Sequence, residues 1–120
     1  MIINFSNHPS ERWSVEQREA AEVYGQIVDL PFPIVPPEAT EEDIIRMADE
    51  CVEQMMEAAA GNEHPAVHIM GEMTLTFAIV ARLMARGITC LASTTERIVR
   101  TDPDGNKVAT FKFVQFRRYV

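Results

Sequence analysis

A strand–helix–strand segment in the second half of this chain constrains the fold more than any other feature. Ala66–Met70 and Ile88–Ala92 are short apolar runs, and the residues between them have the spacing of a helix that Gly87 ends. Two strands joined by a crossover helix must lie parallel, with a right-handed connection. The polar run Ser93–Arg97 then follows the second strand. The segment predicts part of an α/β sheet with polar side chains at the carboxyl ends of its strands.

The first half of the chain repeats this alternation of strands and helices. Ile2–Phe5 and Gln26–Leu30 are the first two predicted strands. Ser14 is placed to cap the first helix, and Thr40 is placed to cap the second, ahead of an acidic first turn and a wide apolar stripe. Each helix lies between two strands, so this half continues the same parallel sheet.

A turn close to the C-terminus predicts an antiparallel hairpin. The turn-forming residues Asp102–Asn106 separate Arg97–Arg100 from the alternating segment Val108–Val114. The predicted order is β-α-β-α-β-α-β followed by a C-terminal β-hairpin. We therefore predict one α/β domain over residues 1–120, with a three-layer, Rossmann-like sheet.

Charge and composition narrow the classes of function. The formal net charge is −7 and the pI is about 4.9, which argues against a basic surface for duplex nucleic acid. The N-terminus has no basic and apolar signal segment, and no apolar run is long enough to cross a membrane, so we expect a cytoplasmic protein. The two cysteines are expected to be reduced core thiols, and no His, Cys and Asp spacing is typical of a metal site. We expect neither a metal nor another cofactor.

Three polar segments are expected to meet at one edge of the sheet. Strands one and three of a Rossmann-like fold are neighbours where the strand order reverses, and ligands bind at that point. Residues 6–8 follow the first strand, residues 71–76 follow the third, and residues 93–95 follow the fourth. The candidate ligand-binding residues are Ser6, Asn7, His8, Trp13, Gly71, Glu72, Met73, Thr74, Thr76, Ser93, Thr94, Thr95 and Arg97.

The turn after the third strand has two interpretations. Its backbone amides and its two threonine hydroxyls lie at a helix N-terminus, where they could hold a phosphate or a ribose. Alternatively, Thr74 simply caps the helix. Glu72 would repel a phosphate, so it could instead hold Arg97, accept a hydrogen bond from a ribose hydroxyl or an adenine amine, or face solvent. Arg97 could also pair with a phosphate.

The roles of the histidines and the tryptophan also have alternative interpretations. His8 is the candidate catalytic residue as a general acid or base, but it could be an ordinary loop histidine. Trp13 could stack on a base or pack as a hydrophobic staple before the helix cap. We interpret His68, in the middle of the third strand, as a packed core histidine. No Ser-His-Asp arrangement is visible in the sequence.

Three motifs together give the chain a family resemblance. NFSNHPSERWS, GEMTLTF and ASTTERIV follow the first, third and fourth predicted strands or overlap their ends. In layout and in these motifs the chain resembles the CRISPR-associated Rossmann-fold group, whose small stand-alone members are similar to the ring nucleases of type III CRISPR systems.

The resemblance implies a homodimer that binds a cyclic oligoadenylate second messenger, such as cyclic tetra-adenylate, across its two-fold axis in antiviral defence. Ser6, Asn7 and His8 match the family's first ligand loop, and residues 71–74 match the loop before the pocket helix. Ring nucleases need no metal, because a ribose 2′-hydroxyl attacks the adjacent phosphodiester and leaves a 2′,3′-cyclic phosphate. The strand ends carry no lysine, and Arg12 and Arg97 are the nearby cations, so sequestration fits as well as cleavage.

Two other functions remain compatible with the sequence. One is an enzyme that acts on a nucleotide or nucleoside at the same strand ends. The other is a dimeric interaction module without a small ligand, whose working surface would be the C-terminal aromatic face of Phe111, Phe113, Phe116 and Tyr119.

Overall fold

The computed structural model describes residues 1–120, and the chain folds into five strands and three α-helices. A single turn of 3₁₀ helix, Ser10–Arg12, follows the first strand. The elements are β1 (Ile2–Ser6), α1 (Val15–Glu22), β2 (Ile27–Pro31), α2 (Glu41–Ala58), β3 (Ala66–Met70), α3 (Met73–Ala85), β4 (Thr89–Thr101) and β5 (Lys107–Arg118). None of the helices is both long and apolar enough to span a membrane.

The strands form one mixed sheet in the order β2-β1-β3-β4-β5. The first four strands are parallel, and β5 runs antiparallel to β4. Strands β1 and β3 are neighbours with Ile2 opposite Ala66 and Ser6 opposite Met70, so the strand order reverses between them as predicted. The predicted α/β fold class is confirmed, with a Rossmann-like arrangement of helices on both faces of the sheet.

The predicted end of the fourth strand at Ala92 is wrong. Strand β4 continues to Thr101, because β5 pairs with it from Leu91 opposite Arg118 to Thr101 opposite Lys107, with one register shift between Thr94 and Thr95. Pairing with β3 stops earlier, at Leu91. Beyond that point β4 and β5 form a two-stranded ribbon (Ser93–Thr101 and Lys107–Phe116), and residues 93–95 lie inside a strand rather than at its end.

Side-chain caps begin the helices, and one of them differs from the prediction. Ser14 Oγ accepts a hydrogen bond from the Gln17 amide at 3.2 Å, and Thr40 forms a reciprocal capping box with Asp43. Helix α3 begins at Met73 and is capped by Glu72, not by Thr74.

The two faces of the sheet are covered unequally. Helices α2 and α3 pack on one face around a cluster of 15 buried residues that includes Phe5 and Leu75. The short helix α1 packs on the other face, where the buried apolar cluster has 4 residues. Gly71 is required at the end of β3, because a Cβ there would lie 2.4 Å from the ring of Phe32.

Candidate functional site

A cleft of about 840 Å³ opens on the α1 face of the sheet, at the carboxyl ends of β1 and β3. It lies between the loop that follows β1 and the base of the ribbon. Seven of the predicted residues line it, and they come from three distant parts of the chain. These residues are Ser6, Asn7, His8, Trp13, Gly71, Ser93 and Thr95.

The other predicted residues lie outside this cleft. Met73 and Thr76 line a separate apolar cavity of about 350 Å³ beside α3. Thr94 points its hydroxyl at the Gln115 carbonyl, 3.1 Å away across the ribbon. Arg97 is exposed further along the ribbon, and Glu72 and Thr74 are engaged with each other at the start of α3.

Glu72 occupies the helix terminus that the sequence offered to a phosphate. Its two carboxylate oxygens accept hydrogen bonds from the backbone amides of Thr74 at 3.0 Å and Leu75 at 2.8 Å. These two hydrogen bonds, with a third from the Thr74 hydroxyl, lower the pKa of Glu72 below its ordinary value. The chain's own carboxylate therefore takes the two amides that one interpretation of this turn offered to a phosphate.

A chain of polar side chains crosses four strands beneath the cleft. Asn4 Nδ2 lies 2.7 Å from Asp29 Oδ1 on the edge strand β2. Asn4 Oδ1 lies 2.9 Å from His68 Nδ1, and His68 Nε2 lies 3.3 Å from Ser93 Oγ. We call these four residues the polar relay. It leads from a carboxylate at the sheet edge to a hydroxyl on the floor of the cleft.

His68, the third member of the polar relay, is neutral at physiological pH. It is 2% exposed, and the rings of Trp13 and Phe116 each lie 5.4 Å from its own, centroid to centroid. Burial lowers the pKa of His68 to about 4, and the nearby His8 contributes in the same direction. The expected packed histidine is present, and it also makes two side-chain hydrogen bonds that the sequence did not reveal.

Asp29, at the other end of the polar relay, is ionised. Its partial burial opposes ionisation, but hydrogen bonds from Asn4 and Ser10 outweigh that effect, so its pKa is lowered. Ser10 supplies two of these bonds, through its hydroxyl at 2.7 Å and its amide at 3.1 Å. The 3₁₀ turn after β1 therefore anchors Asp29.

The mouth of the cleft combines aromatic rings with positive charge. Phe111 and Phe113 on β5 line it together with Arg12 and Lys112, and Glu16 is its one carboxylate. Residues 96–118, which include most of the ribbon, hold six Lys or Arg against three Asp or Glu, a net charge of +3. The rest of the chain holds five against fifteen, a net charge of −10. The cleft therefore lies where an acidic body meets a basic, aromatic ribbon.

Sequence reasoning missed Asn4, Asp29 and Lys112, and it assigned Phe111 and Phe113 to an alternative contact surface instead of the cleft. A signal for Asn4 and His68 was present, because each is a polar residue within an otherwise apolar strand. Each also lies on the same face of its strand as the residues two positions before and after it. Their contact depends on the register of β1 and β3, in which Asn4 lies opposite His68. That register could not be obtained from the sequence of either strand alone.

Comparison with known proteins gives a family and no closer relative. Neither the curated proteins nor the solved structures contain a significant match to this chain. A family model matches residues 1–117, nearly the whole chain. The chain therefore belongs to the family described as the Uncharacterized protein MJ1673 family.

Proposed function

We propose that the cleft binds a cyclic oligoadenylate, of which cyclic tetra-adenylate is the first to test, and that the protein is a cytoplasmic homodimer that sequesters this messenger or cleaves it without a metal in type III CRISPR defence. One observation carries the proposal. Three polar segments around Asn7, Gly71 and Ser93, which resemble those of the CRISPR-associated Rossmann-fold group, meet in a single cleft.

The chemistry of the lining supports a nucleotide ligand. Aromatic rings offer stacking surfaces for bases, and Trp13, Phe111 and Phe113 surround the cleft. Arg12 and Lys112 supply positive charge for phosphates, while Ser6, Asn7 and Thr95 supply hydrogen-bonding groups for ribose. Stacking and charge together suit an oligonucleotide better than a small uncharged metabolite.

The exposed surface of α3 supports a dimer. Met73 is 83% exposed and Phe77 is 77% exposed, and both line the apolar cavity that shares Met70 and Gly71 with the cleft. Large apolar side chains that are exposed together are typical of contact surfaces. Pairing two copies through this patch would bring their clefts close to one another, as a ligand on a two-fold axis requires.

Binding is tested by titrating the purified protein with cyclic tetra-adenylate, with linear tetra-adenylate and AMP as comparison ligands. We expect the cyclic compound to raise the melting temperature and to bind most tightly. Lys112→Glu should weaken binding at least about tenfold, since it reverses a charge at the cleft. Lys107→Glu is the matched control, because Lys107 lies on the same strand but does not line the cleft.

Several outcomes would contradict this proposal. If no adenylate stabilises the protein, the cleft does not bind this class of ligand. Tight binding and turnover of AMP would favour a mononucleotide enzyme instead. A monomeric mass in light scattering, with and without ligand, would rule out binding of the ligand across the two-fold axis of a dimer.

Cleavage is tested separately, by incubating cyclic tetra-adenylate with the protein in EDTA and separating the products by chromatography. A linear product with a 2′,3′-cyclic phosphate identifies a metal-independent ring nuclease, and intact ligand identifies a sequestering protein. If cleavage occurs, His8→Ala should slow it, because His8 is the exposed histidine in the cleft. An unchanged rate would remove His8 from the reaction.

A further inference from the structure

The polar relay fixes the direction of every hydrogen bond along it. An ionised carboxylate only accepts, so the Asn4 group facing Asp29 must be its NH₂. The same NH₂ group lies 2.9 Å from the His8 carbonyl oxygen, which is also only an acceptor. The amide of Asn4 therefore cannot be reversed, and its oxygen faces His68.

The direction continues through the imidazole to the cleft. Asn4 Oδ1 accepts, so His68 carries its proton on Nδ1 and leaves Nε2 as an acceptor. Two acceptors compete for the single proton of Ser93 Oγ, which are His68 Nε2 at 3.3 Å and the Met70 sulfur at 3.0 Å. The imidazole nitrogen is the stronger acceptor, so the proton goes to Nε2. A hydroxyl that donates inward presents only its lone pairs to the cleft. On the floor of the cleft, Ser93 Oγ is therefore a hydrogen-bond acceptor.

The contact that Ser93 makes on its cleft side is a poor one. The Ser93 hydroxyl oxygen and backbone amide lie 3.0 Å and 3.3 Å from the sulfur of Met70. A thioether is a weak acceptor and donates nothing, so it satisfies the amide poorly and the oxygen lone pairs not at all. Met70 is 39% exposed and lies between the cleft and the apolar cavity beside α3, which gives its side chain room to move.

We propose that Ser93 reads the adenine base: on displacing Met70, the exocyclic amine of adenine donates to Ser93 Oγ, and the adjacent ring nitrogen accepts from the Ser93 amide. This inference rests on the proposed function. Adenine presents a donor and an acceptor side by side, whereas guanine and hypoxanthine place an oxygen acceptor where adenine has its amine. An acceptor held in place by the polar relay rejects that oxygen. The polar relay therefore supplies specificity for adenine over bases with a 6-oxo group.

The low pKa of His68 keeps this selectivity constant in the cell. Protonation of Nε2 would turn it into a donor, force Ser93 to accept from it, and present the Ser93 proton to the cleft. With a pKa of about 4, His68 stays neutral across the physiological range. Charge repulsion from His8, which lines the same cleft, lowers the pKa of His68 further. Asp29 contacts the ring only through Asn4.

The decisive experiment compares cyclic tetra-adenylate with cyclic tetra-inosinate, its 6-oxo counterpart, by calorimetry. We expect the wild-type protein to bind the adenylate about 10- to 100-fold more tightly. Ser93→Ala should reduce that ratio towards one, because it removes the acceptor for the adenine amine and also relieves the repulsion of the inosinate oxygen. Thr95→Ala is the matched control, since Thr95 is a second hydroxyl on the same strand that lines the same cleft, and it should leave the ratio unchanged.

A second variant tests the polar relay rather than Ser93 itself. His68→Phe removes the Nε2 acceptor, so the Ser93 hydroxyl no longer has to donate inward and can present its proton to the cleft. We expect the ratio of adenylate to inosinate affinity to fall while the protein stays folded, as circular dichroism would show. An unchanged ratio would overturn the role of the polar relay.

These results separate the inference from the proposed function. If both cyclic compounds bind wild-type protein equally well, the cleft holds a cyclic oligonucleotide but Ser93 does not read its base. If neither binds, the proposed function fails and the inference fails with it. A ratio that survives Ser93→Ala would overturn the assignment to Ser93.

Discussion

The two faces of the sheet differ in what covers them and in what they can do. On the α2 and α3 face, two helices of 18 and 13 residues bury an apolar core. On the α1 face, a helix of 8 residues packs over a smaller apolar cluster that includes Ile2 and Ala66 at the amino ends of β1 and β3. The carboxyl-end half of this face carries the cleft, and Asn4 and His68 of the polar relay lie buried beneath it.

This difference shows how one sheet separates stability from binding. Alternate residues of a strand point to opposite faces, so β1 places Ile3 and Phe5 in the larger core and Asn4 and Ser6 beneath the cleft. The larger core stabilises the fold, and the shorter helix leaves space for a ligand. Substitutions on the first face should therefore change stability, and substitutions on the second should change selectivity.

The largest effect is expected from the core of the first face. Phe5 is fully buried and its ring lies 5.3 Å from that of Phe32, so Phe5→Ala should lower the free energy of unfolding by about 3–5 kcal/mol. Phe116→Ala, at a half-buried ring on the second face, should cost less than half as much. Urea unfolding of both variants measures this. Equal losses would mean that the two faces contribute equally to stability.

The second prediction concerns pH and belongs to the cleft face alone. The unfolded chain protonates His68 near pH 6.5, whereas the folded chain resists protonation down to about pH 4. The stability that this difference supplies is fully present above pH 6.5 and is lost as the pH falls towards 4. Between pH 7 and pH 5 the free energy of unfolding should fall by about 2 kcal/mol.

A variant without the imidazole isolates this effect. His68→Gln should be less stable than the wild type at pH 7, but its stability should vary less between pH 7 and pH 5. Ordinary carboxylates titrate below this window, so they contribute little to the difference. If His68→Gln keeps the full wild-type pH dependence, another group is responsible for it.

The same contrast explains what could be predicted from the sequence. Strands β1 and β3 and the three helices follow from local signals: apolar runs, capping residues and glycines. The convergence of Asn7, Gly71 and Ser93 followed from the strand order that such a pattern favours. Each of these features can be predicted from one helix or strand at a time, together with the general rules for how the strands of an α/β sheet are connected.

The features that were missed depend on long-range pairing. Ser93 to Thr95 are polar and suggest the end of a strand, yet β5 supplies partners that extend β4 through them. Glu72 is an unexpected residue at a helix N-terminus that binds an anion. In the structure its own carboxylate accepts the hydrogen bonds of that helix N-terminus. The polar relay joins side chains from four strands, so it exists only once the whole sheet has formed.

A smaller effect should be confined to the first face. The Tyr119 hydroxyl donates to the Ile69 carbonyl at 2.7 Å, and its ring packs on the larger core. Tyr119→Phe keeps the ring and leaves that carbonyl without its donor, so we expect a loss of about 1 kcal/mol in the free energy of unfolding. Tyr24→Phe should change almost nothing, because the Tyr24 hydroxyl makes no hydrogen bond within the chain. A change in ligand affinity for Tyr119→Phe would contradict the assignment of stability to one face and of binding to the other.

The smallest effect is expected where the two faces meet, at the start of α3. Glu72→Gln keeps one of the two oxygens that accept from the amides of Thr74 and Leu75, and it removes the negative charge from the helix N-terminus. We expect a loss of about 0.5 kcal/mol in the free energy of unfolding, and a loss that disappears in acid, because a carboxyl with a lowered pKa stabilises the fold only above its ordinary titration range. Calorimetry with cyclic tetra-adenylate should give the wild-type affinity, since Glu72 lies outside the cleft. A tenfold change in that affinity would extend the ligand site onto α3 and remove the boundary between the two faces.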